Sequence, residues 1–383
     1  MAGSGWLLAA LILGRIAFGF QFQSVASLGP ALIQTYGLDY AALGTLIGLY
    51  MAPGVLVALP GGVLGRRYGG RALVGVGFVL MTGGSLLAAL AGGTAGIGAG
   101  RLVAGLGAVA LVVMQGKMAA DRFQGAQFVM VMGVLVGMFP IGVGLSGVAL
   151  APLMAWGGVP AVFGVGAALS ALSGLLLLGV PSGGGVGGRF AWPSRQEAGL
   201  VMVAGLIWTA YNAGYYGFLS YAPSVLAGRG HSPAEVAVVL AAATWTNLPA
   251  TLLGGWLSSR VGGAWVLAGG TAASVLSIVG LAVLDWPVLF GIVFGTLGSV
   301  HAGVIVALGT LSARPANQAV GMGLFYTVYY AGVAAFPGLC GRVGDAVGSP
   351  SGALLAAAAL GCLALPAYGL HRRMAGRAEG RVG

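Results

Sequence analysis

The sequence predicts an all-α membrane protein with twelve transmembrane helices in two pseudo-symmetric halves of six, and three observations carry that reading. Of its 383 residues, 58% are hydrophobic, only 6% are charged and 74 are glycine, a composition that soluble domains of this size do not have. Apolar runs long enough to cross a ~30 Å hydrocarbon core recur along the whole chain. A glycine and arginine turn, Gly61 to Leu73, returns 193 residues later as Gly254 to Ala264. That shift pairs Gly62 with Gly255, Leu64 with Leu257, Arg67 with Arg260 and Gly69 with Gly262, and further back Gly37 with Gly230 and Pro30 with Pro223. The chain is two copies of one half.

Six apolar runs fall at 6–28, 42–63, 72–92, 98–118, 127–149 and 160–180, and six more at 199–222, 236–257, 265–284, 287–311, 318–341 and 351–369. Residues 1–180 therefore read as the N-terminal bundle and 199–370 as the C-terminal bundle. Between them 181–198, too polar and glycine-rich to span, reads as a linker. The basic tail 371–383 is expected to stay in water. Abundant glycine lets helix backbones approach closely where lipid supplies no hydrophobic drive between helices. Pro53, Pro60, Pro140, Pro249 and Pro337 interrupt spans and are expected to bend them.

Lysine and arginine orient the chain, because basic loops are retained on the cytoplasmic side. With both termini inside, Arg66, Arg67, Arg71, Lys117, Arg122, Arg189, Arg195, Arg260, Arg314 and the four tail arginines lie at the cytoplasmic face, and only Arg101, Arg229 and Arg342 at the other. The net charge of +10 is thus topological: the basic residues are scattered between spans, which argues against a nucleic-acid partner. Arg101 and Lys117, near span ends, are expected to snorkel to the headgroups. The expected setting is a bacterial cytoplasmic membrane, with the lipid bilayer as partner and a monomer as the working unit.

The turn Gly62, Leu64, Arg67, Gly69, Arg71 resembles the signature loop of the major facilitator superfamily. Arg101 to Gly107 and the stretch Lys117, Met118, Asp121 and Phe123 resemble further stretches of that family, the latter as in bacterial porters for small anions of the cyanate, nitrate or oxalate/formate types. The resemblance implies two six-helix bundles with substrate near the midplane between them and access alternating as the halves rock. It also implies gating roles for Gly62, Arg66, Arg67, Gly69, Arg71, Asp121, Arg122 and Arg260. Arg66 departs from the family pattern, which has an acid there against the start of the eleventh span. A helix N-terminus attracts an acid and repels an arginine, so the cytoplasmic lock is expected to be weak unless Asp121 pairs with Arg66 or Arg67.

An ionisable group deep in a bilayer is usually functional. Asp39, Asp121, Glu197, Glu235, Asp285, Asp345 and Glu379 all fall in loops, at span ends or in the tail, which counts against a proton-driven exporter of cationic drugs; a proton-coupled exporter of drugs or metabolites is the second reading. A transport-inactive sensor is a third. Arg15 lies nine residues into the first run, about 14 Å deep at 1.5 Å per residue, with Phe18 and Phe22 on its face. The repeat places Trp208, Tyr211, Asn212 and Tyr215 on one face of the seventh run, and Tyr326, Tyr329 and Tyr330 form a third aromatic stripe. Such stripes are also common as packing surfaces; three that converge on an arginine suggest a site for a small, flat, partly apolar anion. His301, in the tenth run, is either a packed neutral imidazole or a ligand and proton carrier. Cys340 and Cys362 read as packed thiols. No nucleophile with its base, no phosphate loop and no metal-ligand spacing occurs, so no catalysis, cofactor or metal is expected.

Overall fold

The computed structural model describes residues 2–60, 69–181, 192–314 and 317–379. The first span is α1 (Ala2–Ser27) with α2 (Gly29–Tyr36), broken just before Pro30, and the second is α3 (Tyr40–Leu49) with α4 (residues 54–60), broken at Pro53. The third and fourth are α5 (Gly70–Ala89) and α6 (Thr94–Ala120). α7 (Gly125–Leu178) holds the fifth and sixth, parted where Gly157 and Gly158 leave helical geometry. The second half repeats this order. α8 (Arg195–Gly228) is the seventh span, α9 (Pro233–Trp245) with α10 (Asn247–Val261) the eighth, and α11 (Gly263–Val283) the ninth. The tenth comprises α12 (Pro287–Gly295), a 3-10 turn at Leu297–Ser299 and α13 (Ala302–Leu311); α14 (Gln318–Val347) is the eleventh, and α15 (Pro350–Cys362) with α16 (Ala364–Glu379) the twelfth. Among the described residues nine helices are each long and apolar enough to cross a membrane and the bent α9–α10 pair makes a tenth. Dividing α7 at its break and adding α8 completes twelve.

The repeat is written into the helix ends. α1, α3, α4, α5, α6 and α7 begin 193 residues before α8, α9, α10, α11, α12 and α14, and the Gly157 break in α7 falls where α15 begins in the second copy. Equivalent caps differ in chemistry but not in place. The Asp39 carboxylate accepts from Ala42 N at 2.6 Å to start α3, while Ser232 and Glu235 form a capping box that starts α9. Gly69 and Gly262 share one backbone geometry, φ 83° and ψ 145° against φ 89° and ψ 144°, which a side chain would strain.

Of the prolines expected to bend spans, Pro53 and Pro249 sit at or beside breaks, whereas Pro140 and Pro337 lie inside continuous helices. Nor does the chain leave the fold at 371: α16 runs on to Glu379 and His371 is buried, its Nε2 2.9 Å from Ser312 Oγ. α8 likewise starts inside the stretch expected as linker. At its head Glu197 accepts from Arg314 N at 3.0 Å, from Ser194 N at 2.8 Å and from Asn317 Nδ2 at 3.1 Å. These bonds, the one from Arg314 foremost, hold its carboxyl down at about 2.

The halves meet most closely at the end of the bundle away from the termini. There α3 lies against α14 so tightly that a side chain on Gly48 would run into the Ala334 carbonyl. Gln23 Nε2 donates to Leu219 O at 2.9 Å, and the Tyr221 hydroxyl donates to Pro337 O and, at 3.2 Å, to Tyr40 O. The Asp345 carboxylate of α14 accepts from both Tyr40 N at 2.8 Å and Ala41 N at 3.0 Å. An acid from one half thus caps the N-terminus of a helix in the other, where the helix dipole favours negative charge.

This clasp should hold the far face shut. Asp345→Asn keeps an acceptor but removes the charge, and should weaken closure by about 0.3–1 kcal/mol, the usual worth of a helix-end charge. Spin labels placed on the far ends of α3 and α14 should then report a larger population of long distances; an unchanged distribution would contradict the clasp.

Candidate functional site

Arg15 and Arg101 are both buried guanidiniums of the N-terminal half, and their surroundings differ. Arg101, expected to snorkel, is instead 2% exposed. Its Nε donates to Leu46 O at 3.1 Å, Nη2 to Phe22 O and Ile47 O at 3.1 Å each, and Nη1 to Gln21 O, while its carbon lies 4.5 Å from the Tyr50 ring centroid. The reason is packing: α6 runs behind α1 and α3, and carbonyls of those two helices satisfy the fork without headgroups or an acid. Tyr50 continues the network by donating to Gln21 Oε1 at 3.0 Å, and Gln21 Nε2 donates to Gly166 O at 2.7 Å. Arg101 is a staple.

Arg15 has one protein hydrogen bond, from Nε to Leu135 O at 3.0 Å, and no described residue accepts from Nη1 or Nη2. Its carbon lies 5.4 Å from the ring centroids of both Phe18 and Phe139. Across the interface, Tyr216, Tyr326, Tyr329 and Tyr330 lie within electrostatic range. The fork is positioned by the close contact of α1 and α7, where a side chain on Gly142 would strike the Ile16 carbonyl.

The aromatic stripes converge as expected. Phe22 packs on Tyr216 of α8 at 4.6 Å between centroids and on Phe139 at 5.8 Å. Trp208 stacks on Tyr211 at 5.1 Å and approaches Tyr329 at 6.1 Å; Tyr211 continues to Tyr215 at 6.0 Å and meets His301 edge-on at 4.8 Å. Tyr330 packs on Tyr329 at 4.9 Å and on Tyr326 at 6.4 Å. Trp208 and Tyr326, nearer the end of the bundle that carries the termini, are half-buried, whereas Tyr215, Tyr330 and His301 are buried. The ring cluster is therefore more accessible from the termini end. Asn212 takes no part in it: its amide donates back to Trp208 O at 2.8 Å and its side chain lines a small gap between α8 and α14.

Some members of the cluster were missed in the sequence. Tyr216 and Tyr329 share a 2.8 Å hydroxyl–hydroxyl bond that joins α8 to α14; Tyr216 lies beside the Tyr215 stripe and only the helix rotation reveals it. Phe139 could have been found by asking which aromatic faces Arg15 from the fifth span. The tenth span, read as continuous, breaks at Thr296 to His301, so His301 stands at the N-cap position of α13 without a side-chain capping bond and Ser299 accepts from Asn247 Nδ2 at 2.9 Å, both beside Tyr211. The signal was there in Gly295, Thr296, Gly298 and Ser299, four small or polar residues in an apolar run.

Of the residues assigned to gating, Gly62, Arg66 and Arg67 lie outside the described residues. Asp121 is paired with Lys117 at 2.6 Å. Arg71 Nη2 donates to Leu178 O at 3.1 Å and Arg122 Nη2 to Pro181 O at 3.0 Å, both at the C-terminal end of α7, where cations are favoured. Arg260 lies over Trp256 at 5.3 Å. The bonds described for these residues stay within their own half.

Two six-span halves with a ring cluster between them have the architecture of a membrane transporter. Residues 11–337 match the Major Facilitator Superfamily, and the chain belongs to that family. It is 28% identical over 370 residues to the 3-(3-hydroxy-phenyl)propionate transporter of Escherichia coli strain K12, covering 90% of this chain and 88% of the relative. In fold it is similar to a point mutant of the nucleoside transporter NupG, with a TM-score of 0.78 at 14% identity over 96% of this chain and 99% of the other. It is also similar to a bacterial homologue of the human lysosomal transporter Spinster in an inward-facing, occupied conformation, with a TM-score of 0.75 at 16% identity over 98% of both chains.

The two arginines should separate in stability. Arg101→Met unties four carbonyls and should cost about 1–3 kcal/mol, visible as a lower thermal midpoint in detergent. Arg15→Met should change that midpoint little, and equal losses would contradict the division of roles.

Proposed function

We propose that the protein moves a small organic anion, a carboxylate on an aromatic or otherwise flat apolar body, across a bacterial cytoplasmic membrane by alternating access, working as a monomer with both termini in the cytoplasm. The observation that carries this reading is the Arg15 fork, held by one carbonyl and two aromatic faces, with both terminal nitrogens unpaired. A guanidinium in that position is poorly solvated, and a carboxylate satisfies it with two parallel charge-assisted bonds. Phe18, Phe22, Trp208, Tyr211, Tyr326, Tyr329 and Tyr330 would wall the body of the substrate. The relative of aromatic-acid name supports the same class. A nucleoside, suggested by the name of one structural neighbour, would offer the fork neutral acceptors without the charge-assisted pair, and an exported organic cation would be repelled by it.

With the termini inside, the shut far face is the outer one and the structure faces the cytoplasm. The test is uptake of labelled 3-phenylpropionate into proteoliposomes. Loss of a bidentate charged contact is worth about 1.5–3 kcal/mol, so Arg15→Ala should lose about 10- to 100-fold in apparent affinity. Arg15→Lys, which keeps the charge without the fork, should recover little of it. Uptake by the alanine variant at the wild-type level would overturn the assignment.

A further inference from the structure

The halves contribute unequally to the site. The shift that relates them carries Arg15 onto Trp208, Phe18 onto Tyr211 and Phe22 onto Tyr215, so the guanidinium of one half faces an indole of the other at equivalent depth. Around Tyr211 the C-terminal half then gathers three polar atoms that have no partner: Trp208 Nε1, the Tyr215 hydroxyl and His301 Nδ1. All three side chains pack against the Tyr211 ring, at 5.1, 6.0 and 4.8 Å between centroids. Tyr215 and His301 are more than nine-tenths buried. Beside Nδ1 stands Gly270 of α11, where any side chain would collide with the imidazole. Buried polar atoms are ordinarily satisfied, and three left open about one ring call for an occupant, water or ligand.

We infer that the site has two poles: the charged fork of Arg15, and an uncharged pole of Trp208, Tyr215 and His301 that takes a hydroxyl carried by the substrate's body, away from its carboxylate. This rests on the anion reading above for the first pole but not for the second. The donor set decides the chemistry. Indole Nε1 only donates, whereas the phenol and the imidazole can each donate or accept, so the occupant must accept at least once and can also give. A hydroxyl does both; a methyl group or halogen leaves all three atoms open. A second carboxylate would meet a neutral indole and phenol, because among the described residues no guanidinium or ammonium is bonded to any of the three, and only protonation of the imidazole could supply a countercharge. The poles lie at opposite ends of the ring chain from Arg15 through Phe139, Phe22, Tyr216, Tyr329 and Trp208 to Tyr211. A pole of this kind works mainly by rejection, since an analogue without the hydroxyl leaves buried groups unpaired.

The test is calorimetric binding to the purified full-length protein of phenylacetate, 3- and 4-hydroxyphenylacetate, 4-carboxyphenylacetate and the uncharged 4-methylphenol. Wild type should prefer one hydroxylated acid over phenylacetate by at least about tenfold. Tyr215→Phe and Trp208→Phe, which keep an aromatic ring, should each bring that ratio toward one, and Arg15→Ala should weaken all the acids about 10- to 100-fold. A wild-type ratio near one, a ratio unmoved in both variants, or tightest binding of 4-carboxyphenylacetate would overturn the neutral pole; if a variant fails to fold, the wild-type ratio decides. Should the acids fail to bind while 4-methylphenol binds and weakens in Tyr215→Phe, the anion reading falls and the neutral pole stands. If none of the probes binds, both fall.

Discussion

A guanidinium cannot be left bare in an apolar medium, and much of this transporter is arranged around two that are buried. Arg101 is satisfied by backbone: its donors bind carbonyls of α1 and α3, and in doing so they fix the two helices that carry Arg15 and the clasp residues Tyr40 and Ala41. Arg15 is left short of partners on one side only, toward the ring cluster between the halves. The difference is one of neighbours. α6 brings Arg101 behind two helices whose carbonyls are within reach, whereas α1 and α7 give Arg15 a single carbonyl and two phenyl faces. On the anion reading, rigidity in the first case serves incompleteness in the second, since a fork that selects a planar anion must be held still.

The same logic of unequal halves runs through the interface. Duplication gave each half the same helix starts, and close glycine contacts let the copies pack without a hydrophobic drive. Function then depends on where the copies diverge. The tenth span breaks at Thr296 while its counterpart α6 is continuous, and the break brings Ser299 and His301 beside Tyr211. On the far face an acid of the second half caps a helix of the first. On the proposed rocking of the halves, the clasp and the bonds from Tyr221 to Tyr40 O and from Gln23 to Leu219 O must be released, while the Tyr221 bond to Pro337 O lies within one half and can stay.

The span count, the duplication and the burial of Arg15 within a span were legible in the sequence because each depends on local composition or on a fixed shift. The convergence of Phe22, Trp208, Tyr211 and Tyr329 was legible too, through helical spacing combined with the repeat. What escaped was rotation and company. Nothing local distinguishes Tyr215 from Tyr216, yet only Tyr216 bonds Tyr329. Arg101 near a span end resembles a snorkelling residue until the neighbours of α6 are known. Asn212, in register with the ring stripe, turns instead to its own backbone, and the Asp345 clasp joins residues about 300 apart in sequence, beyond the reach of any spacing argument.

The central claim is that the site selects negative charge through Arg15. Thermal unfolding of the purified protein with saturating 3-phenylpropionate, and separately with its uncharged isostere 3-phenylpropionamide, tests it most directly. A ligand at a hundred times its dissociation constant stabilises by about 2.7 kcal/mol, so the carboxylate should raise the midpoint by several degrees and the amide, at the same concentration, by no more than about half as much. Equal stabilisation by acid and amide, or by the amide alone, would contradict the account.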